Sequence, residues 1–236
     1  MRTAAILPIK SFASAKQRLA PTLGSGSRQA LAQAMFSDVL GSLRKVERVE
    51  LIAVVTGDPA AEAAAHGDGV TVVHDPLEAG QSAAAGVGIR HALASGFERV
   101  LLIPGDTPLL DPVELDALLA RGEEDGMQVV IVPDRHGTGT NALLIAPPDA
   151  FEPSFGPESL QRHLSAAQEA GLGHSVEEVA SLLYDVDTPD DLAVLATLLE
   201  DRRACAPLTR GALRQLDRLR TSRRFATQDV EPPVEV

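Results

Sequence analysis

Three cations fall within nine residues in the run IKSFASAKQR, which places Lys10, Lys16 and Arg18 just after an apolar segment. Lysine is scarce in this chain. Only Lys10, Lys16 and Lys45 occur, and arginine is otherwise the base used. Two of three lysines in one strand-to-helix connection point to a task beyond solubility, because ligands of open α/β sheets bind at strand carboxyl ends and an ammonium there is a point charge for a phosphate. A solvated basic loop is the plain alternative.

Two aspartates stand at similar strand ends. In LLIPGDTPLLDPVEL the local helix start is provided by Asp111, with Pro112 at the first helical position and Glu114 three residues after the cap. Asp106 is then free of capping duty, and a hard oxygen ligand for Mg²⁺ and a triphosphate suits that position. A turn-forming aspartate is the other reading. LLYDVDTPDDL repeats the plan: Thr188, Pro189 and Asp191 form the cap, and Leu192, Leu195 and Leu199 form a buried helical stripe. With 182–186 as a strand, Asp185 and Asp187 share a face opposite Tyr184 and Val186. Asp187, at the strand end, pairs with Asp106 as a metal ligand, and Asp185 stands behind them.

Two Gly-containing loops complete the set. In DRHGTGTN, residues 134–141, the glycines let backbone approach an anion and the threonines offer hydroxyls, or the loop is a tight β-β connection needing positive φ. In FGPES, residues 155–159, Gly156 and Ser159 open a helix whose free N–H groups could hold phosphate or carboxylate, unless Ser159 only caps it. Gly80-Gln81-Ser82 opens another helix, where a base could lie against backbone. The histidines at 66, 74, 91, 136, 163 and 174 show no zinc-ligand spacing, and only His136 lies in a candidate loop; the others read as structural or surface residues.

The elements that must position these residues alternate. Apolar, β-branched runs at 3–9, 49–55, 70–74, 99–103 and 128–132 predict buried strands, and 27–45, 59–66, 82–95 and 112–124 predict the helices between them. Parallel strands with right-handed crossovers follow. After residue 132 the loop 133–141 leads straight into the apolar run 142–146, so one β-β connection breaks the pattern. Helices at 158–170 and 189–200 and a last strand at 182–186 complete a mixed α/β sheet.

At 236 residues, one domain with an extension is expected. No Trp, one Tyr and six Phe leave the core to Ala, Val, Leu and Ile. The net charge of −12 argues against nucleic-acid binding, which needs basic stripes. Residues 1–200 carry net −15 and residues 201–236 net +3, which sets the Arg-rich end apart: 207–222 predicts a helix and 226–236 reads as disordered. Cys205 is the only cysteine, so no disulfide forms within the chain. Lys10, Lys16 and Arg18 interrupt any N-terminal apolar span, so neither a leader peptide nor a membrane helix is expected and the cytoplasm is the expected location.

The motifs ILPIKSFASAKQRLAP, RQALAQAMFSDVL, PGDTPLL, VPDRHGTGTNALL, FGPESLQRHL and DVDTPDDL, in this order over residues 3–200, resemble the guanylyltransferases that activate phosphoenolpyruvate or 2-phospho-L-lactate in biosynthesis of coenzyme F-420. The resemblance implies a single-domain, three-layer, mostly parallel, nucleotide-diphospho-sugar-transferase-like (Rossmann-like) α/β fold over 1–200. It implies GTP as donor, with Lys10, Lys16 and Gly80 on the nucleotide. Lys10, Lys16 and Arg18 would act on the phosphates, Mg²⁺ would sit on Asp106 and Asp187, and the acid on Thr140, Gly156 and Ser159. Two departures stand out: the Lys/Arg loop replaces the Gly-rich loop of the wider superfamily, and Gln81-Ser82 replaces Leu-Asn. The Ala/Arg-rich composition favours phosphoenolpyruvate over 2-phospho-L-lactate or 3-phosphoglycerate. A labile product would pass to the downstream deazaflavin transferase. The alternative of another class is a non-catalytic nucleotide-binding partner protein.

Overall fold

The computed structural model describes residues 1–67, 70–202 and 205–228. Four strands, β1 (Thr3–Pro8), β2 (Leu51–Thr56), β3 (Thr71–His74) and β4 (Arg99–Leu102), run parallel, and α1 (Ser25–Leu43), α2 (Pro59–Gly67) and α3 (Gln81–Ala94) connect them. α4 (Pro112–Glu124) leads to β5 (Val129–Pro133), and a short loop returns the chain as β6 (Thr140–Ile145). α5 (Ser159–Glu169), β7 (His174–Val176), α6 (Pro189–Asp201) and α7 (Pro207–Gln228) follow. The sheet order is β3-β2-β1-β4-β6-β5-β7, and β6 alone runs against its neighbours.

Strand alternation divides the core into two layers. Ala5, Leu7, Val54, Leu101, Val130 and Leu144 face α1 and α4 on one side, while Ala4, Ile6, Ala53, Val55, Val100 and Ile145 face α3 and α5 on the other. Small residues bring α3 close to the sheet. A Cβ on Gly88 would lie 2.4 Å from Ile6 Cγ2 and 3.0 Å from Val55 Cγ2. A third cluster, with Leu19, Leu31, Met35, Leu192, Leu195 and Leu199, joins α1 to α6 and receives Ala212, Leu213 and Leu216 of α7. The Arg-rich segment thus begins as a helix on α1, where the N–H groups of Leu208 and Thr209 donate to the Asp38 carboxylate at 3.2 and 2.7 Å. Residues 226–228, expected to be disordered with the rest of 226–236, instead close α7, and 229–236 lie outside the described residues.

One expected strand is absent. The run 182–186 forms no ladder, and the last strand of the sheet is instead His174–Val176, paired in parallel with β5. Leu182 and Val186 are fully buried, but in no ladder: Leu182 belongs to the core cluster that includes Leu115 and Leu118 of α4 and Val132 and Ala142 of the sheet, and Val186 joins the α1–α6 cluster. Among the described residues no helix is long and apolar enough to cross a membrane.

Candidate active site

β1 leads out toward β2 on one side of the sheet, while β4 lies on its other side, so the loops after β1 and β4 diverge and leave a crevice between them. The β1–α1 loop is pinned at both ends. Phe12 is buried against Phe36, with ring centroids 5.7 Å apart, and its N–H donates to Asp58 Oδ2 at 2.6 Å. Leu19 is fully buried in the α1–α6 cluster. Asp58 also accepts from the N–H of Ala60 at 2.7 Å. Burial raises its pKa, but the donors Ala60 and Phe12 outweigh that and hold it below the ordinary carboxylate value.

Between these anchors Lys16 adopts a left-handed backbone, φ 56° and ψ 39°, uncommon for a residue with a Cβ. Its side chain is only 7% exposed, and its ammonium donates to Asp106 Oδ2 and, at 3.0 Å, to Asp187 Oδ1. Burial alone would depress this lysine; the charge of Asp106 and then that of Asp187 overcome it and hold the ammonium above the ordinary lysine value. Arg18 Nη1 stands 3.6 Å from Asp187 Oδ2, its own side chain largely exposed.

Local caps leave both aspartates available. Asp111 accepts from Val113 N–H at 2.8 Å, with Pro112 starting α4. Glu114, which the spacing suggested as the second half of that cap, instead accepts from Ser181 N–H at 2.9 Å and ties down the segment leading to Asp187. At α6 the box is complete: Asp191 N–H donates to Thr188 Oγ1 at 3.2 Å and Thr188 N–H donates to Asp191 Oδ2 at 2.7 Å. Arg135 forms an ion pair with Asp191.

Asp185 and Asp187 both face the crevice, and Tyr184 and Val186 pack into the cluster behind them, although no strand is present to impose that alternation. Asp185 accepts from Asn141 Nδ2 at 3.3 Å. Burial, then the charge of Asp106, pushes its pKa up to about 6.

The crevice has two halves. One, of about 420 Å³, is lined by Lys10, Lys16 and Phe36 among others; the second, of about 410 Å³, is lined by Thr138, Thr140, Gly156 and Ser159 among others. They share Arg18, Gln81, Pro104, Asp106 and Asp187. Gly80 precedes Gln81 as the N-cap of α3 at φ 111°. The exchange of Asn for Ser82 has a local partner, since Phe155 N–H donates to Ser82 Oγ at 2.9 Å.

In the 134–141 loop the N–H groups of His136 and Thr138 donate to Asp134 Oδ1, and that of Gly137 donates to the Asp134 carbonyl. Gly137 takes the left-handed conformation, φ 69°. These amides are spent on the turn, so the loop meets the crevice mainly through side chains. Ser159 does not cap α5. Glu158 holds the cap position, and the Ser159 hydroxyl lies 3.2 Å from Thr140 Oγ1. His163, fully buried and one helical turn beyond Ser159, touches Thr140 from behind, with Nδ1 3.0 Å from Oγ1. The sequence reading passed over it as structural or surface; the i, i+4 spacing from Ser159 was the available signal.

The donor set fits a hard divalent ion. Asp106 Oδ1 is buried with no hydrogen-bond partner among the described residues. No group of three or more His, Cys, Asp or Glu side chains gathers at a metal-sized point among them. Mg²⁺ is commonly held by one or two carboxylates, with phosphate oxygens and water completing its shell.

Comparison with known proteins places the fold and the family. The fold is similar to that of a Desulfovibrio desulfuricans protein assigned to the nucleotide-diphospho-sugar transferases, at TM-score 0.72 and 20% identity, covering 93% of this chain and 97% of that one. The phosphoenolpyruvate guanylyltransferase of Conexibacter woesei is 51% identical over 94% of this chain and 99% of its own. The 2-phospho-L-lactate guanylyltransferase of Methanothermobacter thermautotrophicus is 34% identical over 81% of this chain and 83% of its own. The model of the CofC-like guanylyl transferases matches residues 3–214, reaching into α7. Matched almost throughout its length, this chain belongs to the CofC-like guanylyl transferase family.

Proposed function

We propose that this protein transfers GMP from GTP to phosphoenolpyruvate, forming enolpyruvoyl-2-diphospho-5'-guanosine and pyrophosphate. The observation that carries the reading is the pair Asp106 and Asp187 on the wall common to both halves of the crevice. GTP occupies the half with Lys10 and Lys16, its base near Gly80 and Gln81. The acid occupies the half with Thr140, Gly156 and Ser159. Asp106 and Asp187 hold Mg²⁺, which neutralises charge on the phosphates when bound.

A phosphate oxygen of the acid bonds to the α-phosphorus of GTP, the bond from that phosphorus to the β-phosphate bridging oxygen breaks, and pyrophosphate leaves with the electron pair. No general base is required, because the attacking phosphate is ionised at neutral pH. The chain's own contribution is positioning and charge neutralisation by Lys10, Lys16 and Arg18. A cytoplasmic location and delivery of the labile product to a deazaflavin-loading transferase belong to the same reading. The Methanothermobacter relative's name supports 2-phospho-L-lactate as a second acceptor.

Purified protein with GTP, Mg²⁺ and each acid in turn, assayed for pyrophosphate with the downstream transferase present, tests the reaction. Phosphoenolpyruvate is expected to give the highest kcat/KM. Asp106→Asn and Asp187→Asn should each lower turnover at least about 100-fold with an unchanged circular dichroism spectrum. Near-wild-type pyrophosphate release by either variant contradicts the metal assignment.

A further inference from the structure

We infer that His163 is a positioning residue of the acceptor pocket, whose Nδ1–H fills one lone pair of the Thr140 hydroxyl and so turns that hydroxyl's own proton toward a phosphorylated carboxylic acid. This rests on the reading of the Thr140 pocket as the acceptor site.

The direction of each bond on the ring follows from what its partner can do. Ser154 N–H donates to His163 Nε2 at 2.9 Å, which requires that nitrogen to be unprotonated. A neutral ring then carries its proton on Nδ1. Burial, and then the charge of Arg162, push the imidazole down to about 4, so it is neutral throughout the physiological range. Nδ1–H therefore donates to Thr140 Oγ1 at 3.0 Å, and Ser159 Oγ lies 3.2 Å from the same oxygen. With Nδ1–H on one lone pair, the Thr140 hydroxyl cannot give its proton back to the ring. Its proton is left for the crevice side, given to the acid directly or relayed through the Ser159 hydroxyl, and ionised carboxylate and phosphate oxygens are acceptors only.

The supporting structure is built to hold the ring still. Phe155 meets it edge-on, with centroids 5.1 Å apart at 71°, and Phe151 lies 6.4 Å away. Arg162 donates to the carbonyls of Ser154, Phe155 and Pro157, fixing the loop that supplies the Ser154 N–H. His163 itself is fully buried and touches no solvent. It acts through Thr140.

The test combines kinetics with a spectroscopic reading on the full chain. With GTP, Mg²⁺ and phosphoenolpyruvate as probes, Thr140→Val and His163→Phe are each expected to raise KM for the acid on the order of tenfold to 100-fold, with KM for GTP changed less than about twofold. The double variant should be no worse than Thr140→Val alone, because the two residues act in series. His163→Asn, which keeps an N–H donor near the Nδ1 position, should recover part of the loss. Nitrogen-15 NMR of the ring at pH 7.5, without substrate, should show Nδ1 protonated and Nε2 bare. An Nε2-protonated or cationic ring overturns the inference, as does His163→Phe raising both KM values alike or additive effects in the double variant. If the NMR result is as expected but Thr140→Val leaves KM for the acid unchanged, the acceptor-site reading has failed, and the inferred role of His163 with it.

Discussion

Replacing Lys16 with methionine keeps an unbranched apolar stem as far as Cε and removes the ammonium that joins Asp106 to Asp187. The size of the effect follows from exposure. Asp187 is 44% exposed, so solvent screens its pair with Lys16 to about 0.5 kcal/mol. Asp106 is 26% exposed and would lose the partner of Oδ2 while Oδ1 already lacks one, a loss of about 2 kcal/mol. The sum of ~2–3 kcal/mol corresponds to a melting temperature roughly 5–10 °C lower for a chain of this size. Because a divalent cation binding the same two carboxylates can take over the ammonium's task, Mg²⁺ should stabilise the variant more than the wild type. Turnover should fall on the order of 100-fold to 1,000-fold, since a positive charge is removed from the phosphate site. Thermal melts with and without Mg²⁺ and steady-state pyrophosphate release provide the measurements. Equal Mg²⁺ stabilisation of both proteins, or a variant melting within about 1 °C of wild type in metal-free buffer, would refute the bridging argument.

Asp58→Asn places an amide NH₂ against one of two backbone donors, Phe12 or Ala60, and should cost about 1–3 kcal/mol at pH 7. The depressed carboxylate contributes its stability above the ordinary value near 4 and loses it as pH falls through its lower folded value, so the gap in urea midpoint should close below about pH 4; a gap that stays constant between pH 7 and pH 3 contradicts the assignment. Gly88→Ala forces a methyl to within 2.4 Å of Ile6 and 3.0 Å of Val55, and should destabilise by about 1–2 kcal/mol despite the better helix propensity of alanine. Urea unfolding checks it, and a variant as stable as wild type would show that α3 can shift off the sheet.

Where a feature depends on neighbours in sequence, it was legible. The Asp111-Pro112 and Thr188-Pro189-Asp191 starts involve residues two or three apart, and both caps form. The alternation of apolar runs with helical stretches placed β1 to β5, because strand and helix periods differ, and the apolar run straight after the 133–141 loop placed β6. The last strand was misplaced for a physical reason. Apolar content in 182–186 reports burial without saying by what, and Leu182 and Val186 are buried by side-chain clusters rather than within a ladder. His174–Val176 is a three-residue edge strand, half-buried to exposed, with too little apolar content to stand out.

By itself the sequence determined which residue types stood beside which elements: two lysines and an arginine after β1, and aspartates with no capping duty after β4 and before α6. Tertiary structure alone decided what each one meets. Lys16 lies 90 residues from Asp106 and 171 from Asp187, and its ammonium reaches both because Phe12 and Leu19 anchor the loop on either side. Thr140, Ser159 and His163 become one hydrogen-bonded unit only where β6 and α5 pack together. Local sequence encodes caps and periods through contacts a few residues apart, whereas the direction of a hydroxyl proton or the partner of a buried ammonium is set by groups that only the folded chain brings within 3 Å.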